Sequence, residues 1–291
     1  MNQNDACSRR AFFAGTLGLV TSVRGLAGEP RVEIPAYNKM TDEQEISLGR
    51  EAAKGIEKEK KLKFIETHSV RDYVEDLFDR FVKTSRRPNL PYSIKIVDTK
   101  EINAFALPGG FVYLNRGLME WARSEAEMAA TLCHEVGHVV GHHGANTISR
   151  ESAMDSLLTE ASQVLLGDDL PARLLKQAGG PVAFFGNLRY SRAQELQADL
   201  FGYYNMQRAG WDPKGMVDLF RHFGENSTLL DPMFTIVSTH PASSERENQI
   251  ADEMRQFPPK PGLKYNSDHF KVMQTELKKL PPPKVQENLA Q

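Results

Sequence analysis

Four of the chain's eight histidines lie within ten residues, in the stretch TLCHEVGHVVGHH from Thr131 to His143. Within it, His134-Glu135-Val136-Gly137-His138 has the form H-E-x-x-H. On a helix, positions four apart share one face, about 6 Å apart along the axis. Two imidazoles so placed reach a single tetrahedral zinc ion at about 2.0–2.1 Å each. Glu135 is turned about 100° from His134. It therefore points beside the metal, where a base must sit to take a proton from a water that the metal activates. His142 repeats the spacing of four, but an ion already held by two residues of one helix does not easily accept a third from the next turn. His142 and His143 are read as helix C-terminal residues, favoured there by the helix dipole.

A catalytic site needs a third protein ligand and an open fourth position. The continuation H-E-x-x-H-x-x-G-x-x-H fails, because Gly141 is in place but residue 144 is glycine. YSRAQELQADLFGYY supplies the other solution. Glu195 and Asp199 are four apart and share a helix face. One carboxylate can bind the metal and the other can accept the free N–H of a ligand histidine, raising its basicity. Two solvated carboxylates is the plainer reading, but beside H-E-x-x-H the economical choice is Glu195 as ligand and Asp199 behind it. Cys133 reads as a small buried side chain rather than a ligand.

The elements that must position these residues are legible in outline. Thr41-Asp-Glu-Gln44 is a capping box, opening a charged helix to about Leu62. A second helix runs from near Ser69 to before Pro88. PYSIKIVD alternates as a strand does, and INAFALPGGFVYLN reads as two short strands around Pro108-Gly109-Gly110. The histidine helix spans about Ser124–His143. Further helices are expected over Ala145–Leu166, Pro171–Gly179, Ser191–Ala209, after Pro213, after Ser243 and over Ser267–Leu280. Gly137 is unfavourable in a helix by up to about 1 kcal/mol relative to alanine. Something must approach closely there, and the opposing sheet is the candidate. The fold expected is α+β, mostly helical, with a small antiparallel sheet.

Composition excludes little. The chain has 291 residues, with 36 basic and 38 acidic side chains. That near-balance calls for neither nucleic acid nor an acidic membrane surface. The leader is more telling. Ser8-Arg9-Arg10-Ala11-Phe12-Phe13 resembles a twin-arginine export signal, followed by an apolar run to about Val23 and a small-x-small site at Gly25-Leu26-Ala27. Residues 1–27 are read as a signal peptide, the mature chain as periplasmic and without a transmembrane segment.

Several stretches carry a family resemblance: EISLGREAA, NAFALPGGFVYLNRGL, SEAEMAATLCHEVGHVVGHH, YSRAQELQAD, AGWDP and THPASSERENQI. The chain resembles the zinc metallopeptidases that include the CAAX prenyl endopeptidase, HtpX and periplasmic BepA-like proteases. The likeness fades after about residue 256. It implies a gluzincin-like domain over 28–256, followed by a tail over 257–291. It also implies one zinc ion per chain on His134, His138 and Glu195, Glu135 as general base, and Asp199 supporting His134.

Edge strands bind extended peptides through main-chain hydrogen bonds. Asn103, Ala104 and Phe105, or the strand after the glycine pair, are candidates for that edge. The resemblance puts His240 near the zinc. It would serve either as a hydrogen-bond donor to the oxyanion or as a fourth ligand that holds the enzyme inactive; Tyr190 is a weaker oxyanion donor. Arg246 would bind a substrate carbonyl or hold the His240 segment. Residues Ile148–Arg189, rich in Gly, Pro and apolar side chains, read as a lid. The function expected is hydrolysis of misfolded or unassembled exported proteins, with peripheral contact to outer-membrane assembly machinery. The competing reading is a chaperone that binds such chains and rarely cuts them. A purely structural zinc domain is weak, since closed sites more often use cysteines.

Overall fold

The computed structural model describes Val32 and residues 40–148, 189–226, 233–241 and 244–283. The export leader, most of the helix expected at Ala145–Leu166, the one at Pro171–Gly179 and nearly all of the expected lid lie outside the described residues.

Helix α1 (Asp42–Glu59) starts at its capping box: Thr41 Oγ1 accepts from the Gln44 amide and Gln44 Oε1 from the Thr41 amide. Helix α2 (His68–Thr84) buries Val70, Val74, Leu77, Phe78 and Phe81 along one face, the spacing that a helical period requires. Strands β1 (Ser93–Val97), β2 (Ala104–Leu107) and β3 (Phe111–Asn115) form one sheet in the order β1-β3-β2. The hairpin across Pro108–Gly110 is antiparallel, as expected, but β1 runs parallel to β3. The sheet is therefore mixed rather than antiparallel. Parallel neighbours need a long crossover, and here β2 with its flanking loops is that crossover. It follows that β3 is central, so the strand after the glycine pair is no edge; β2 is.

A short helix α3 (Arg116–Trp121) leads to α4 (Glu125–Val140), whose N-terminus is capped by Ser124 Oγ accepting from the Glu127 amide. Every residue of α4 is buried, which is what an apolar helix at the centre of a domain requires. It stops earlier than the sequence suggests. Gly141 is its C-cap, His142 takes a left-handed φ of 54°, and helical structure resumes at 143–148.

Helix α5 (Arg192–Ala209) begins at a second capping box, Ser191 with Gln194, and ends at left-handed Gly210. It lies directly against α4. A β-carbon on Gly137 would stand 2.6 Å from the Ala198 carbonyl oxygen, and one on Gly202 would stand 3.2 Å from the His134 amide nitrogen. The close neighbour of Gly137 is thus α5 and not the sheet. The two glycines let the backbones of these helices touch.

Helices α6 (Lys214–Asn226), α7 (Thr235–Thr239), α8 (Ser244–Gln256) and α9 (Asp268–Lys279) complete the described chain. Helix α9 lies in the expected tail and places Phe270, Met273 and Leu277 in the same core as α2 and α4. Buried Arg116 ties it down by donating to the carbonyls of Leu277 at 2.9 Å and Pro281 at 2.7 Å. Among the described residues no helix is long and apolar enough to cross a membrane.

Candidate metal centre

His134 and His138 project from successive turns of α4, and Glu195 from the first turn of α5. Because the helices meet at their backbones, these side chains converge. The two imidazole Nε2 atoms are 2.9 Å apart. Glu195 Oε2 lies 3.4 Å from His134 Nε2, and Oε1 lies 3.5 Å from His138 Nε2. His240, just beyond α7, brings Nδ1 to 2.9 Å from Glu195 Oε1 and 3.3 Å from His134 Nε2. All four residues are buried, with donor atoms within 4.8 Å of one another. Lone-pair atoms crowded together away from water are costly unless something positive or a proton sits among them. Imidazole nitrogens with one carboxylate are the donor set that zinc favours. The cluster fits a zinc ion.

Behind these residues is a charged frame. Asp199 Oδ1 lies 2.8 Å from His134 Nδ1. Arg246 grips the same carboxylate with two bonds of 2.7 Å, from Nε to Oδ2 and from Nη2 to Oδ1. Its Nη1 reaches Glu195 Oε2 at 2.9 Å and the carbonyls of His240 and Pro241 at 3.4 and 3.3 Å. Arg246 is buried, and these contacts commit its donors within the protein. The two carbonyl bonds tie Arg246 to the His240 segment.

The charges follow from these contacts. Burial alone would lower the His134 pKa, but Asp199 and Glu195 outweigh it and lift it to about 9. Burial would raise Glu195, and the surrounding histidines, His240 first, hold it far below the usual carboxylate range. Asp199 is likewise depressed, since Arg246 and His134 overcome its burial. His138 is pushed well down by burial and by its neighbour His134.

Glu135 stands apart. It is buried, and neither carboxylate oxygen has a hydrogen-bond partner of good geometry among the described residues. Burial raises its pKa, which His240, His134 and the Ala106 amide only partly offset. His240 faces it as well, with Nε2 3.6 Å from Glu135 Oε1. His240 therefore presents one nitrogen to the ligand cluster and the other to Glu135.

Two residues escape the sequence reading. His143 is fully buried, and its Nδ1 lies 2.8 Å from His138 Nδ1. Its Nε2 lies 2.7 Å from Gln197 Oε1, on α5. Its ring faces the ligand His138, a placement that the reading as a helix C-terminal residue does not give. Five positions along a straight helix leave two side chains about 140° apart, so the spacing gave no signal. The left-handed turn at His142 swings His143 back toward His138. His142 instead bonds Glu45 of α1, with Nδ1 to Oε1 at 2.8 Å. The Tyr190 ring stacks on His138, centroids 3.9 Å apart.

Edge strand β2 flanks the cluster. The Asn115 amide donates to the Asn103 carbonyl, so Asn103 and Phe105 turn their main-chain groups toward β3. By the alternation of an antiparallel ladder, Ala104 and Ala106 turn theirs to the open edge. Of the three residues named from sequence, only Ala104 faces outward; Ala106 joins it, and Phe105 stacks on Tyr113 at 4.7 Å. Further along this edge, Ile102 exchanges main-chain bonds with Met233 and Ile236, anchoring the segment that ends at His240. Beside His134 and His240 is a small hollow with an apolar side, including Met216, Phe220 and Ile236, and a polar side of Thr131, Asp199 and Arg246.

A model described as Peptidase family M48 matches residues 68–254, which includes every residue of the cluster. The chain is 28% identical over 196 residues to the beta-barrel assembly-enhancing protease of Yersinia pestis, covering 65% of this chain and 40% of that one. It is 29% identical over 187 residues to the mitochondrial metalloendopeptidase OMA1 of Schizosaccharomyces pombe, covering 64% and 53%. It is 29% identical over 181 residues to the metalloprotease LoiP of Escherichia coli, covering 56% and 63%. The chain thus spans about half the length of the relatives it matches.

Proposed function

The chain belongs to peptidase family M48, and from that premise we propose that it is a periplasmic endopeptidase that hydrolyses misfolded or unassembled exported proteins. One zinc ion per chain is held by His134, His138 and Glu195. The observation that carries the reading is the convergence of those three side chains, from two helices, beside a buried carboxylate with no hydrogen-bond partner of good geometry among the described residues.

Zinc, when held there, supplies Lewis acidity toward water and the scissile carbonyl. The rest falls to the chain's own groups. Glu135 takes the proton of the attacking water and passes it to the leaving amine. Ala104 and Ala106 offer main-chain groups to an extended substrate, which asks little of its side chains. Asp199 orients His134, and Arg246 positions Asp199 and the His240 segment.

His240 is the control point in this reading. Its Nδ1 belongs to the ligand cluster, which favours a fourth donor that must withdraw before water and substrate enter. The oxyanion-donor role requires the same withdrawal first. Export rests on the leader as read from sequence, and action on outer-membrane assembly rests on the likeness to the beta-barrel assembly-enhancing protease of Yersinia pestis.

The test is metal analysis of the purified chain, coupled to cleavage of an unfolded protein with and without chelator. Zinc near one equivalent and chelator-sensitive cleavage are expected; full cleavage after removal of all metal would refute the reading. Glu135→Gln separates peptidase from chaperone. It should keep zinc and lose cleavage by more than about 100-fold. Equal protection of unfolded chains by wild type and variant, with no fragments from either, would favour the chaperone.

A further inference from the structure

We propose that Gln197 and His143 form a relay that fixes the tautomer of His138, so that its Nε2 presents a lone pair to the metal. This rests on the reading of His134, His138 and Glu195 as the metal-holding set.

The argument is one of proton accounting. A hydrogen bond between two ring nitrogens needs one N–H and one lone pair. His138 Nδ1 and His143 Nδ1 are 2.8 Å apart and both rings are buried, so their tautomers are locked to each other. The far end of the chain decides which pair is present. His143 Nε2 faces the amide oxygen of Gln197 at 2.7 Å, and a carbonyl oxygen only accepts. The proton of neutral His143 is therefore on Nε2, and its Nδ1 is the acceptor. His138 must then donate from Nδ1, and its Nε2 is left bare, facing His134 Nε2 at 2.9 Å. The opposite orientation of the Gln197 amide would reverse every step. It would put a hydrogen on His138 Nε2, where it would block the metal.

The two ligand histidines are thus set by different means. His134 leans on a carboxylate, Asp199, which is itself gripped by Arg246. His138 leans on a neutral imidazole and a neutral amide. Glu135, Glu195 and Asp199 already place three buried carboxylates around the site, and a further buried charge would be costly unless paired. A neutral relay fixes the ring without adding one. It also accounts for the left-handed backbone of His142, which brings His143 back to the ligand. Gln197 lies on α5 between Glu195 and Asp199, so one helix supplies a ligand and the support for both ligand histidines.

The test measures zinc affinity by competition with a chromophoric chelator, with thermal unfolding of the metal-free proteins as the fold control. Loss of such a supporting partner typically weakens metal binding by about 10–100-fold, and that range is expected for His143→Ala. Should His143→Ala fail to fold, the half-buried Gln197 carries the test. Gln197→Leu removes the acceptor and should weaken zinc binding by about 10-fold. In the zinc-loaded wild type, ring nitrogen NMR should find the protons on His138 Nδ1 and His143 Nε2. Unchanged affinity in Gln197→Leu or a proton on His143 Nδ1 would each overturn the relay. A wild type that binds no zinc removes the metal-site reading and the relay with it. A zinc-binding wild type with an indifferent Gln197→Leu removes the relay alone.

Discussion

Gly137 and Ala198 meet backbone to backbone: a β-carbon on Gly137 would stand 2.6 Å from the Ala198 carbonyl oxygen and 3.1 Å from its α-carbon. The contact lies between His134 and His138 on one helix, and between Glu195 and Asp199 on the other. Gly137→Ala sets two effects against each other. Helix propensity would gain up to about 1 kcal/mol. The added carbon must push α5 away, and overpacking of this kind costs about 1–3 kcal/mol. The clash is with backbone, which cannot rotate aside, so the cost should win. Net destabilisation is expected in denaturant unfolding, together with weaker zinc binding as Glu195 moves off. A Gly137→Ala protein as stable as wild type and equally tight for zinc would contradict the crossing.

Arg246 and Asp199 form a buried pair joined by two hydrogen bonds. Removing one partner strands the other's charge, at about 3–5 kcal/mol. Arg246→Ala should therefore unfold at markedly lower denaturant. Arg246→Lys keeps the charge but not the planar fork, and should fall between. The split between stability and binding distinguishes this role from substrate contact. If Arg246 bound substrate, its loss would raise KM with the fold intact.

How far the sequence foretold this arrangement depends on the range of each signal. The capping boxes at Thr41 and Ser191 and the H-E-x-x-H pair are local, and helical spacing alone carries them. The pairing of Glu195 with His134 rests on the Glu195–Asp199 spacing, which has two solvated carboxylates as its plainer reading, and on the resemblance, since nothing local links positions so far apart in the chain. What stayed hidden turned on backbone detail or strand order. The left-handed φ at His142 brings in His143. Parallel pairing of β1 makes β3 central. Ladder alternation turns Ala104 and Ala106, rather than Asn103 and Phe105, to the open edge. Gly137 did announce a close neighbour, but not which one.

Zinc uptake should release a proton from His134. In the metal-free protein its pKa is lifted to about 9, above the about 6.5 of a free histidine. At pH 7.5 the folded, metal-free chain thus holds a proton that a metal ligand must give up. The sign follows: apparent affinity should rise with pH, by up to about tenfold per unit, and level off above about 9. In the metal-free state the same raised pKa adds stability that is complete below about 6.5 and is lost as pH rises through about 9. Calorimetry of zinc binding in buffers of different ionisation enthalpy checks the first part. Proton uptake, or none, at pH 7.5 would show that Asp199 and Glu195 do not charge His134.

The last prediction concerns His240, which joins the ligand cluster through Nδ1 while its Nε2 stands 3.6 Å from Glu135 Oε1. In that position it lies between the metal-holding atoms and the base, where water must go. If it is a fourth donor that keeps the enzyme shut, His240→Ala should bind zinc more weakly yet cleave unfolded protein faster. If it stabilises the oxyanion, the same variant should lose about 100–1000-fold in kcat. The segment's anchor allows an independent check. Ile102 holds Met233 and Ile236 by main-chain bonds, so Ile236→Pro deletes one of them while keeping the Ile236 carbonyl that accepts from the His240 amide. Release of a shut state should raise activity in this variant too, whereas a donor that needs its anchor should become less effective. Opposite signs for the two variants would rule out the single-plug account, because both changes relieve the same obstruction.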